Sequence, residues 1–489
     1  MPDTVVIPIP MLLLTLLACK QPGPDDSGSP QSTDDSGHSD TNDSGDSQDT
    51  DDSGTASIPT EAAVSDISAR IDDDFGTLVI VSWQQEQAAE VWVEYSFDAD
   101  TWMSSPAQSV EVGAQGALLL GVPYDTAVSF RVVNDFGTGA LQTGAESITT
   151  DPLPDGLPIP EVLIADPTQW DAESDWLLMS ITEYSGFAAI YSDWWVFIMD
   201  REGRVVWARE TPSDSTSLHP RISQDGTDIL IEHATFWGGG FDFGTNSRVY
   251  RMKIDGVITQ TYTTPGLHHP FTDTADGSLV WAANNGTNET LQMLTPEGEQ
   301  IELWDCQAHL HSIGTTGDCG SNSIHWDEGS DTFLYSFYSL FTMFEITPDG
   351  EVVRTFGQLD SAWSFDPADA RFWWQHGGYY TDEGTLIVST YVEEEGIDTV
   401  VREYELDESS QTLTEIWNFG IGDGVWGQYM GEPHRMAGGN TLHNTGSLAR
   451  LREATPDGEV VWDVIWDEGS GSNWIGRSTP ITDLYSLAP

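Results

Sequence analysis

The chain has 489 residues with a hydrophobic fraction of 38% and an aromatic fraction of 11%, which excludes a protein that is disordered throughout. Its length exceeds one ordinary hydrophobic core and predicts two or more folded units. Seventeen Lys and Arg stand against 80 Asp and Glu, for a formal charge of −63. This field repels phosphate backbones and anionic lipid head groups, so we expect no nucleic-acid partner.

The N-terminus carries a short apolar run that ends in a cysteine. Residues 11–19 are too few to span a bilayer. The Leu-Leu-Ala-Cys pattern that ends at Cys19 resembles a bacterial lipobox, which implies a lipoprotein signal peptide over 1–18 and lipidation of Cys19. An ordinary secretory signal is the alternative, since residues 1–10 contain no Lys or Arg. We therefore expect an exported lipoprotein of the outer membrane or cell surface, facing the periplasm or the exterior, with a lipid anchor as its only membrane contact.

Residues 19–57 are predicted to be a disordered acidic tether. From residue 21 onward this segment contains ten Asp, many Ser and Gly, and no Lys, Arg or aromatic residue. Such a composition buries too little surface to offset the entropy of the chain. The repeated Asp-Ser-Gly units could hold calcium weakly, but they lack a regular ligand frame, which favours a solvated spacer.

Residues 58–152 change to short β-runs whose spacing predicts a small β-sandwich. The strand ending at Trp83, the Val-Glu-Tyr-Ser strand at 93–96 and the stretch 120–132 resemble a fibronectin type III module. A generic immunoglobulin-like sandwich is the alternative, because Val128 stands where that family usually has its corner Tyr. Four prolines between 152 and 160 then predict a stiff linker.

An internal repeat dominates residues 161–489. A strand–turn–strand unit recurs six times, with a mean period of about 51 residues that is typical of four-stranded propeller blades. The copies are 198–207, 250–258, 292–301, 344–353, 404–413 and 452–462. A second hairpin, marked by Asp-Gly, Glu-Gly or Gly-Gly, precedes most copies. The sequence therefore predicts an all-β, six-bladed β-propeller, whereas the rival architecture, an array of sandwiches, does not naturally give this period.

Four histidines stand at comparable places ahead of these second hairpins, namely His219, His269, His376 and His434. Equivalent positions on different blades converge near the axis of a propeller, so we expect the imidazoles to meet at the mouth of its channel. The alternative is that each His binds a backbone carbonyl within its own blade.

Four elements, in this order along residues 160–489, resemble bacterial arylsulfate sulfotransferases. They are His268-His269 before Asp276-Gly277, Asn322-Ser323-Ile324 before 331–336, Gln375-His376 before Gly384, and Gly439-Asn440-Thr441-Leu442 before 452–462. No single element is specific, since the sequence at 456–462 would fit many propellers. The order of the elements is what carries the resemblance.

The resemblance implies transfer of a sulfuryl group, independent of PAPS, from a small aryl sulfate donor to a phenolic acceptor through a sulfohistidine. It implies no metal or cofactor. It places the nucleophile at His376, a helper His at His269 and a substrate-binding amide at Asn322, while the ring of histidines adds His219 and His434 as further substrate-binding candidates. Chemically, a neutral imidazole attacks sulfur while hydrogen-bond donors stabilise charge on the equatorial oxygens.

Two positions depart from the family pattern. Gly320 stands where the family has a His, and Tyr338 stands where it has an Arg. Both family residues would bind sulfuryl oxygens, and the loss of such donors costs on the order of 10² to 10³ in rate for each. Side chains that could replace them are His311, His325, Arg221, Arg371 and Arg435.

Cys306 and Cys319 are predicted to form a disulfide, since an exported chain folds under oxidising conditions. The alternative is a metal site that combines these Cys with His309 and His311. It lacks a Cys-x-x-Cys pair and faces oxidation outside the cytoplasm, which favours the disulfide.

The tryptophans of the repeat are expected to pack between blades, because several end the recurring Val-Val-Trp strand. Trp373 and Trp374 lie close to His376 in sequence and could instead line a pocket for an aryl group. Two other functions stay open at this level. One is a non-catalytic propeller that binds a protein, glycan or small aromatic ligand, and the other is adhesion through an apolar patch on the sandwich.

Overall fold

The computed structural model describes residues 61–98, 101–171, 174–183, 192–237, 242–393, 397–466 and 473–489. The predicted signal peptide, Cys19 and the acidic tether lie outside these ranges. Within them the chain is all-β, as predicted, and its one α-helix is α1 (Cys306–Ser312). No helix in the described ranges is long and apolar enough to cross a membrane.

The first nine strands form two sheets. They are β1 (Val64–Ile71), β2 (Val79–Gln85), β3 (Ala89–Ser96), β4 (Met103–Ser104), β5 (Gln108–Val110), β6 (Gly113–Leu119), β7 (Ala127–Asp135), β8 (Ala140–Gln142) and β9 (Glu146–Thr149). β1, β2 and β6 make one sheet, and the other six strands make the second. Alternate side chains of both sheets, including Val81, Trp83, Val93 and Phe130, form one shared hydrophobic cluster, so the sheets pack against each other.

The remaining strands form six further sheets in the described residues, which we call sheets I to VI. The strands are β10 (Glu161–Ala165), β11 (Trp176–Thr182), β12 (Trp195–Asp200), β13 (Val205–Glu210), β14 (Arg221–Ile222), β15 (Ile229–His233), β16 (Arg248–Met252), β17 (Ile258–Thr263), β18 (Leu267–Asp273), β19 (Leu279–Asn284), β20 (Glu289–Leu294), β21 (Gln300–Asp305), β22 (Ser321–Asp327), β23 (Thr332–Phe337), β24 (Thr342–Ile346), β25 (Val352–Gly357), β26 (Ser364–Asp366), β27 (Trp373–Tyr380), β28 (Leu386–Tyr391), β29 (Thr399–Asp407), β30 (Thr412–Phe419), β31 (Glu432–Arg435), β32 (Thr441–Asn444), β33 (Arg450–Ala454), β34 (Val460–Ile465) and β35 (Trp474–Ile481). Short 3-10 helices occupy Tyr338–Leu340, Ala368–Ala370, Gly446–Leu448 and Leu484–Leu487.

Each sheet is built mainly from sequential antiparallel strands. Two sheets also include a strand that is distant in sequence: β35 belongs to sheet I and β10 to sheet VI. Sheets II, III and IV are β14–β17, β18–β21 and β22–β25, and sheet V is β27–β30 with β26 added in parallel at its outer edge. Sheet I contains β11–β13 and takes its fourth strand from the C-terminal β35. Sheet VI contains β31–β34 and takes β10 at its outer edge. The C-terminal segment therefore completes the first sheet.

Hydrophobic clusters fill the interfaces between consecutive sheets. Representative pairs are Ile198 with Ile231 between I and II, Leu230 with Trp281 between II and III, Val280 with Phe333 between III and IV, Leu334 with Val388 between IV and V, and Ile387 with Ala454 between V and VI. The cluster that joins Trp462 to Met179 connects sheet VI back to sheet I. Because the sheets close into a ring, the fold is a β-propeller, which leaves few strand edges open.

The tryptophans at the ends of the repeat strands pack as predicted. Trp207, Trp281 and Trp462 are fully buried within the clusters between sheets. The indole nitrogens of Trp207 and Trp462 each donate a 2.8 Å hydrogen bond to a backbone carbonyl, those of Ile254 and Arg201 respectively. Burial of each indole therefore leaves no polar atom of these two rings unsatisfied.

The N-terminal sheets contact the ring directly. Phe75 stacks on Trp207, with ring centroids 5.3 Å apart, and the Thr77 hydroxyl donates a 2.6 Å hydrogen bond to the Val206 carbonyl. Tyr95 and Tyr485 lie with their hydroxyl oxygens 3.2 Å apart. These contacts hold the predicted sandwich region against sheet I and the C-terminal 3-10 helix.

Cys306 and Cys319 form the predicted disulfide, with Cα atoms 6.1 Å apart. Both thiols are consumed, and His309 packs on Trp304 while His311 is exposed. No group of His, Cys, Asp or Glu in the described ranges is arranged to hold a metal ion. The alternative of a Cys/His metal site is therefore wrong.

Replacing both cysteines, Cys306→Ser with Cys319→Ser, is expected to lower the free energy of unfolding by about 3 kcal/mol, because the bond closes a short loop in the unfolded chain. Urea denaturation followed by tryptophan fluorescence, with and without reductant, measures the loss. Reductant should leave the double variant unchanged. Equal stability of the oxidised and reduced wild type would contradict the prediction.

Candidate functional site

The innermost strands of the ring bring four predicted site residues to its centre. His219 directly precedes β14, His269 lies on β18, Asn322 on β22 and His376 on β27. The pKa of His269 is lowered well below its usual range by burial and by the charges of His268, Arg477, His219 and His376. These groups are thus close enough to affect the ionisation of His269.

Arg477, on the C-terminal strand β35, is the cation at this centre. Its side chain is 2% exposed. One guanidinium nitrogen donates to the Gly431 carbonyl at 2.9 Å, and the other donates to the carbonyls of Asn322, at 2.8 Å, and His376. One side chain therefore links β35 to the inner strands of sheets IV and V and to the start of β31.

Glycine at position 377 makes room for this cation. A Cβ atom there would lie 2.6 Å from an Arg477 guanidinium nitrogen and 2.9 Å from the Gly431 carbonyl oxygen. Any larger residue at 377 would displace the guanidinium from its carbonyl partners. The Gln-His-Gly sequence at 375–377 thus supplies both a site histidine and the space for Arg477.

His376 is held as a neutral imidazole with a defined tautomer. Its Nδ1 lies 2.8 Å from the Trp374 carbonyl oxygen. A carbonyl only accepts hydrogen bonds, so Nδ1 carries the proton and Nε2 carries the lone pair. Burial and the charge of Arg477 lower the pKa of His376 to about 3. The ring is therefore unprotonated at neutral pH and can act as a nucleophile or a base.

Asn322 is buried and takes part in the strand contacts. Its amide nitrogen donates a 2.6 Å hydrogen bond to the Gln375 carbonyl, and its backbone carbonyl accepts from Arg477. Its side-chain oxygen has no partner among the described residues. Asn322 therefore fixes the position of the Gln375–His376 strand.

Gly320 and Tyr338, which stand where the resemblance would place a His and an Arg, are neighbours in space. A Cβ atom on Gly320 would lie 3.0 to 3.1 Å from three atoms of the Tyr338 ring. The same ring lies nearly parallel to the imidazole of His376, with centroids 6.1 Å apart, and stacks on Trp374 at 6.3 Å. An aromatic side chain therefore lies beside His376, and its position requires a small residue at 320.

His434 lies beside a buried carboxylate at the same centre. Its Nε2 is 3.2 Å from a carboxylate oxygen of Glu432, whose other oxygen lies 3.7 Å from Arg477. Burial opposes ionisation of Glu432, but the charges of His434 and Arg477 hold the pKa of that carboxyl far below its usual range. Glu432 is therefore an anion that compensates the buried cation.

Of the side chains considered as replacements, two join this centre. The pKa of His219 is lowered well below its usual range by burial and by the charges of Arg477 and Arg221. Burial, with the charge of Arg221 adding to it, lowers the pKa of His325 to about 4. Arg221 and His325 therefore belong to the central cluster.

The other three side chains do not join this centre. Arg435 pairs with Glu403, Arg371 donates to the Ala368 carbonyl at 3.1 Å, and His311 is exposed on the disulfide loop.

Sequence reasoning missed Arg477 and Glu432. The available signal was an arginine between Ile475 and Ile481, in a chain with only 17 Lys and Arg. A repeat that begins with an incomplete first sheet also requires a C-terminal strand to complete it, which would have placed Arg477 on an inner strand.

No protein-family model and no curated protein matches the chain. Solved structures that resemble it are β-propeller-like proteins. A protein of unknown function from Bacteroides caccae has 14% identity and a TM-score of 0.43, with 63% of this chain and 100% of that chain covered. A streptogramin B lyase has 13% identity and a TM-score of 0.36, with 62% and 86% covered. Regucalcin, a calcium-binding protein from Agrobacterium tumefaciens, has 11% identity and a TM-score of 0.30, with 54% and 77% covered. These likenesses carry no argument about activity.

Replacing the central cation, Arg477→Met, is expected to lower the free energy of unfolding by about 3–5 kcal/mol, because three backbone carbonyls would lose their donor and Glu432 would lose its nearby cation. Arg131→Met is the control, since Arg131 pairs with Glu94 where both side chains are partly exposed, and its loss should cost about 1 kcal/mol. Urea denaturation of both variants measures the difference. Equal losses would contradict the central role of Arg477.

Acid is expected to destabilise the protein below about pH 6.5. The folded-state pKa values of His376 and His443 are about 3, and those of His325 and His233 are about 4, all lowered chiefly by burial. The unfolded chain binds these protons first, so stability falls as pH drops from about 6.5 toward 3. Burial raises the pKa of Glu232 to about 8 and also raises those of Asp175, Asp200 and Asp273, which has the opposite sign. The pKa values of His219 and His269 are lowered as well, so these six histidines act against the four carboxyls.

Urea denaturation across this pH range measures the effect. His233→Asn, outside the central cluster, should reduce the slope by up to about 1.4 kcal/mol per pH unit, the value for one proton. Stability that is constant or rises toward acid pH would contradict the depressed pKa values.

Proposed function

We propose that the chain is an enzyme that transfers a sulfuryl group, independently of PAPS, from an aryl sulfate to a phenolic acceptor, with His376 as the nucleophile. In this proposal each of the six sheets is one blade of an arylsulfate sulfotransferase-like propeller. The observation that carries it is a neutral His376, with its Nε2 lone pair available, next to the buried cation Arg477.

The tautomer of His376 supports nucleophilic attack. Nε2 can attack sulfur only if it carries a lone pair, and the hydrogen bond from Nδ1 to the Trp374 carbonyl leaves the lone pair there. As the N–S bond forms, positive charge develops on the ring. The same carbonyl then stabilises the Nδ1–H proton of the sulfated imidazole.

The local charge supports an anionic substrate despite the overall charge of −63. Arg477 and Arg221 lie buried beside the neutral imidazoles of His219 and His376, with Glu432 near both cations and Asp273 near Arg221 as the opposite charges. In a buried site these fixed charges act at low effective dielectric, where they outweigh screened surface charges. The cations that the family places elsewhere are thus supplied here by another strand.

The surroundings of His376 support an aryl donor. Tyr338 lies parallel to the imidazole, and Tyr429 meets it edge-on with centroids 6.3 Å apart. Tyr429 and Trp426 are 39% and 41% exposed, so the aromatic lining extends to the surface. Flat apolar rings of this kind bind aromatic groups by stacking. We propose that this lining holds the aryl ring while sulfur faces Nε2.

We also propose the finer domain assignments. The two N-terminal sheets would be a fibronectin type III-like module, and the acidic segment would tether it to a lipid anchor at Cys19 of an exported lipoprotein. The pairing of Cys306 with Cys319 supports export, because disulfides persist in oxidising compartments.

The wild-type protein is expected to transfer sulfuryl groups from 4-nitrophenyl sulfate to phenol, and His376→Asn should reduce turnover by at least about 10³-fold because it removes the attacking nitrogen. Release of 4-nitrophenolate, followed by absorbance, measures the rate. His233→Asn is the control, since it removes a histidine of similarly lowered pKa from a strand outside the cluster and should keep wild-type turnover.

Absence of transfer by the wild type, or equal turnover in wild type and His376→Asn, would overturn the proposal. Saturable binding of the aryl sulfate without turnover would instead favour the non-catalytic ligand-binding propeller.

A further inference from the structure

A chain of buried polar groups leads from the central cluster into sheet III. The Nδ1 atoms of His269 and His268 lie 2.8 Å apart. On its other side, His268 Nε2 lies 3.0 Å from a carboxylate oxygen of Glu289, on β20. His268 is 3% exposed and Glu289 is 1% exposed. Three side chains of one blade thus form a line whose inner end is His269.

The partners of Glu289 define its role as an acceptor. One carboxylate oxygen accepts from the Asn284 amide at 3.0 Å, and the other accepts from the Ser321 backbone N–H at 2.9 Å and the Tyr335 hydroxyl at 3.3 Å. A carboxylate surrounded by donors accepts further hydrogen bonds and offers none. His268 Nε2 lies 3.0 Å from this carboxylate without the alignment of a hydrogen bond, but a lone pair there would be repelled by the anion, so Nε2 carries the proton.

These contacts determine which nitrogen of His268 and of His269 carries the proton. With the proton of neutral His268 on Nε2, its Nδ1 has a lone pair and accepts from His269 Nδ1–H. His269 then has its lone pair on Nε2. The charged groups and imidazoles that face His269 are His268, Arg477, His219 and His376, and their charges add to burial in lowering its pKa. His269 is thus a neutral base at neutral pH.

We propose that Glu289 and His268 are positioning residues that hold His269 in the Nδ1–H tautomer, so that His269 Nε2 removes the proton of a neutral hydroxyl acceptor. The proposal rests on the proposed sulfuryl transfer and names its acceptor class: phenols that enter with the proton on oxygen, not phenolate anions. A neutral acceptor also meets less repulsion from a protein of charge −63.

The two half-reactions then balance. In the first, the His376 Nε2–S bond forms and the S–O(aryl) bond breaks, and the aryl oxide leaves with the electron pair. In the second, the acceptor oxygen bonds to sulfur, the N–S bond breaks, and the hydroxyl proton moves to His269 Nε2. His376 recovers its lone pair, and the released proton passes to solvent. The relay is needed only in the second step when the leaving group is stable as an anion.

The tautomer of His269 can be measured without any substrate. Long-range ¹H–¹⁵N NMR of the full chain labelled with ¹⁵N-histidine, assigned with His269→Gln, should show Nδ1–H and an unprotonated Nε2 in the wild type. Glu289→Gln, which can place an amide N–H toward His268, should lose this single tautomer. A proton on His269 Nε2 in the wild type, or no change in Glu289→Gln, would overturn the relay.

Kinetics separate the relay from the proposed function. With 4-nitrophenyl sulfate, Glu289→Gln should keep the burst of 4-nitrophenolate and lose about 10- to 100-fold in the transfer to phenol, since only that step removes a proton. Glu345→Gln is the matched control, because Glu345 is an equally buried carboxylate on β24 that accepts from Thr332 and Tyr380.

Equal transfer rates in the two variants would overturn the relay while leaving the sulfohistidine intact. A wild type without a burst would overturn the proposed function, and the NMR result would still decide the relay.

Discussion

One buried guanidinium fixes the centre of this propeller. Arg477 donates to backbone carbonyls that belong to, or adjoin, three other inner strands, and it lies beside the carboxylate of Glu432. Burial of a cation is costly unless hydrogen bonds and an opposite charge compensate it. Those partners can compensate it only when the ring is closed, since Arg477 lies on the C-terminal strand that completes sheet I. Closure of the ring by β35 therefore also places the positive charge of Arg477 in the site.

Burial and the same charge together explain the state of the histidines. Burial disfavours the protonated imidazole and the positive charge of Arg477 disfavours it further, so the pKa values of His219, His269 and His376 are all lowered. Neutral imidazoles have lone pairs, and the charge of Arg477 does not depend on their protonation. Under the proposed function, this fixed local charge would let a protein with a charge of −63 bind an anion.

Much of the fold could be predicted from the sequence, because the information is local. Turns marked by Asp-Gly recur at a fixed period, and a period of that length is typical of a blade. The convergence of His219, His269 and His376 followed from their equivalent places in the repeat, and the disulfide followed from the expected export. The role of Arg477 was not predicted, because it depends on which strand lies innermost after the ring closes. Glu289 was not predicted either, because it contacts His268 from a different strand of the same sheet.

The departures at Gly320 and Tyr338 show the same limit. Read separately, each position lacks an expected donor. In the folded chain the Tyr338 ring lies beside Gly320 and parallel to the His376 imidazole, so the two positions form one part of the site. Contact in space of this kind is not given by spacing along the sequence.

Mass spectrometry of the protein quenched after exposure to an aryl sulfate, with no acceptor present, tests the central claim most directly. If His376 is the nucleophile, the spectra should show one added sulfuryl group per chain, located on His376, and its loss when phenol is added. An unmodified protein that nevertheless transfers sulfuryl groups, or a sulfuryl group on another residue such as His269 or Tyr338, would contradict the account.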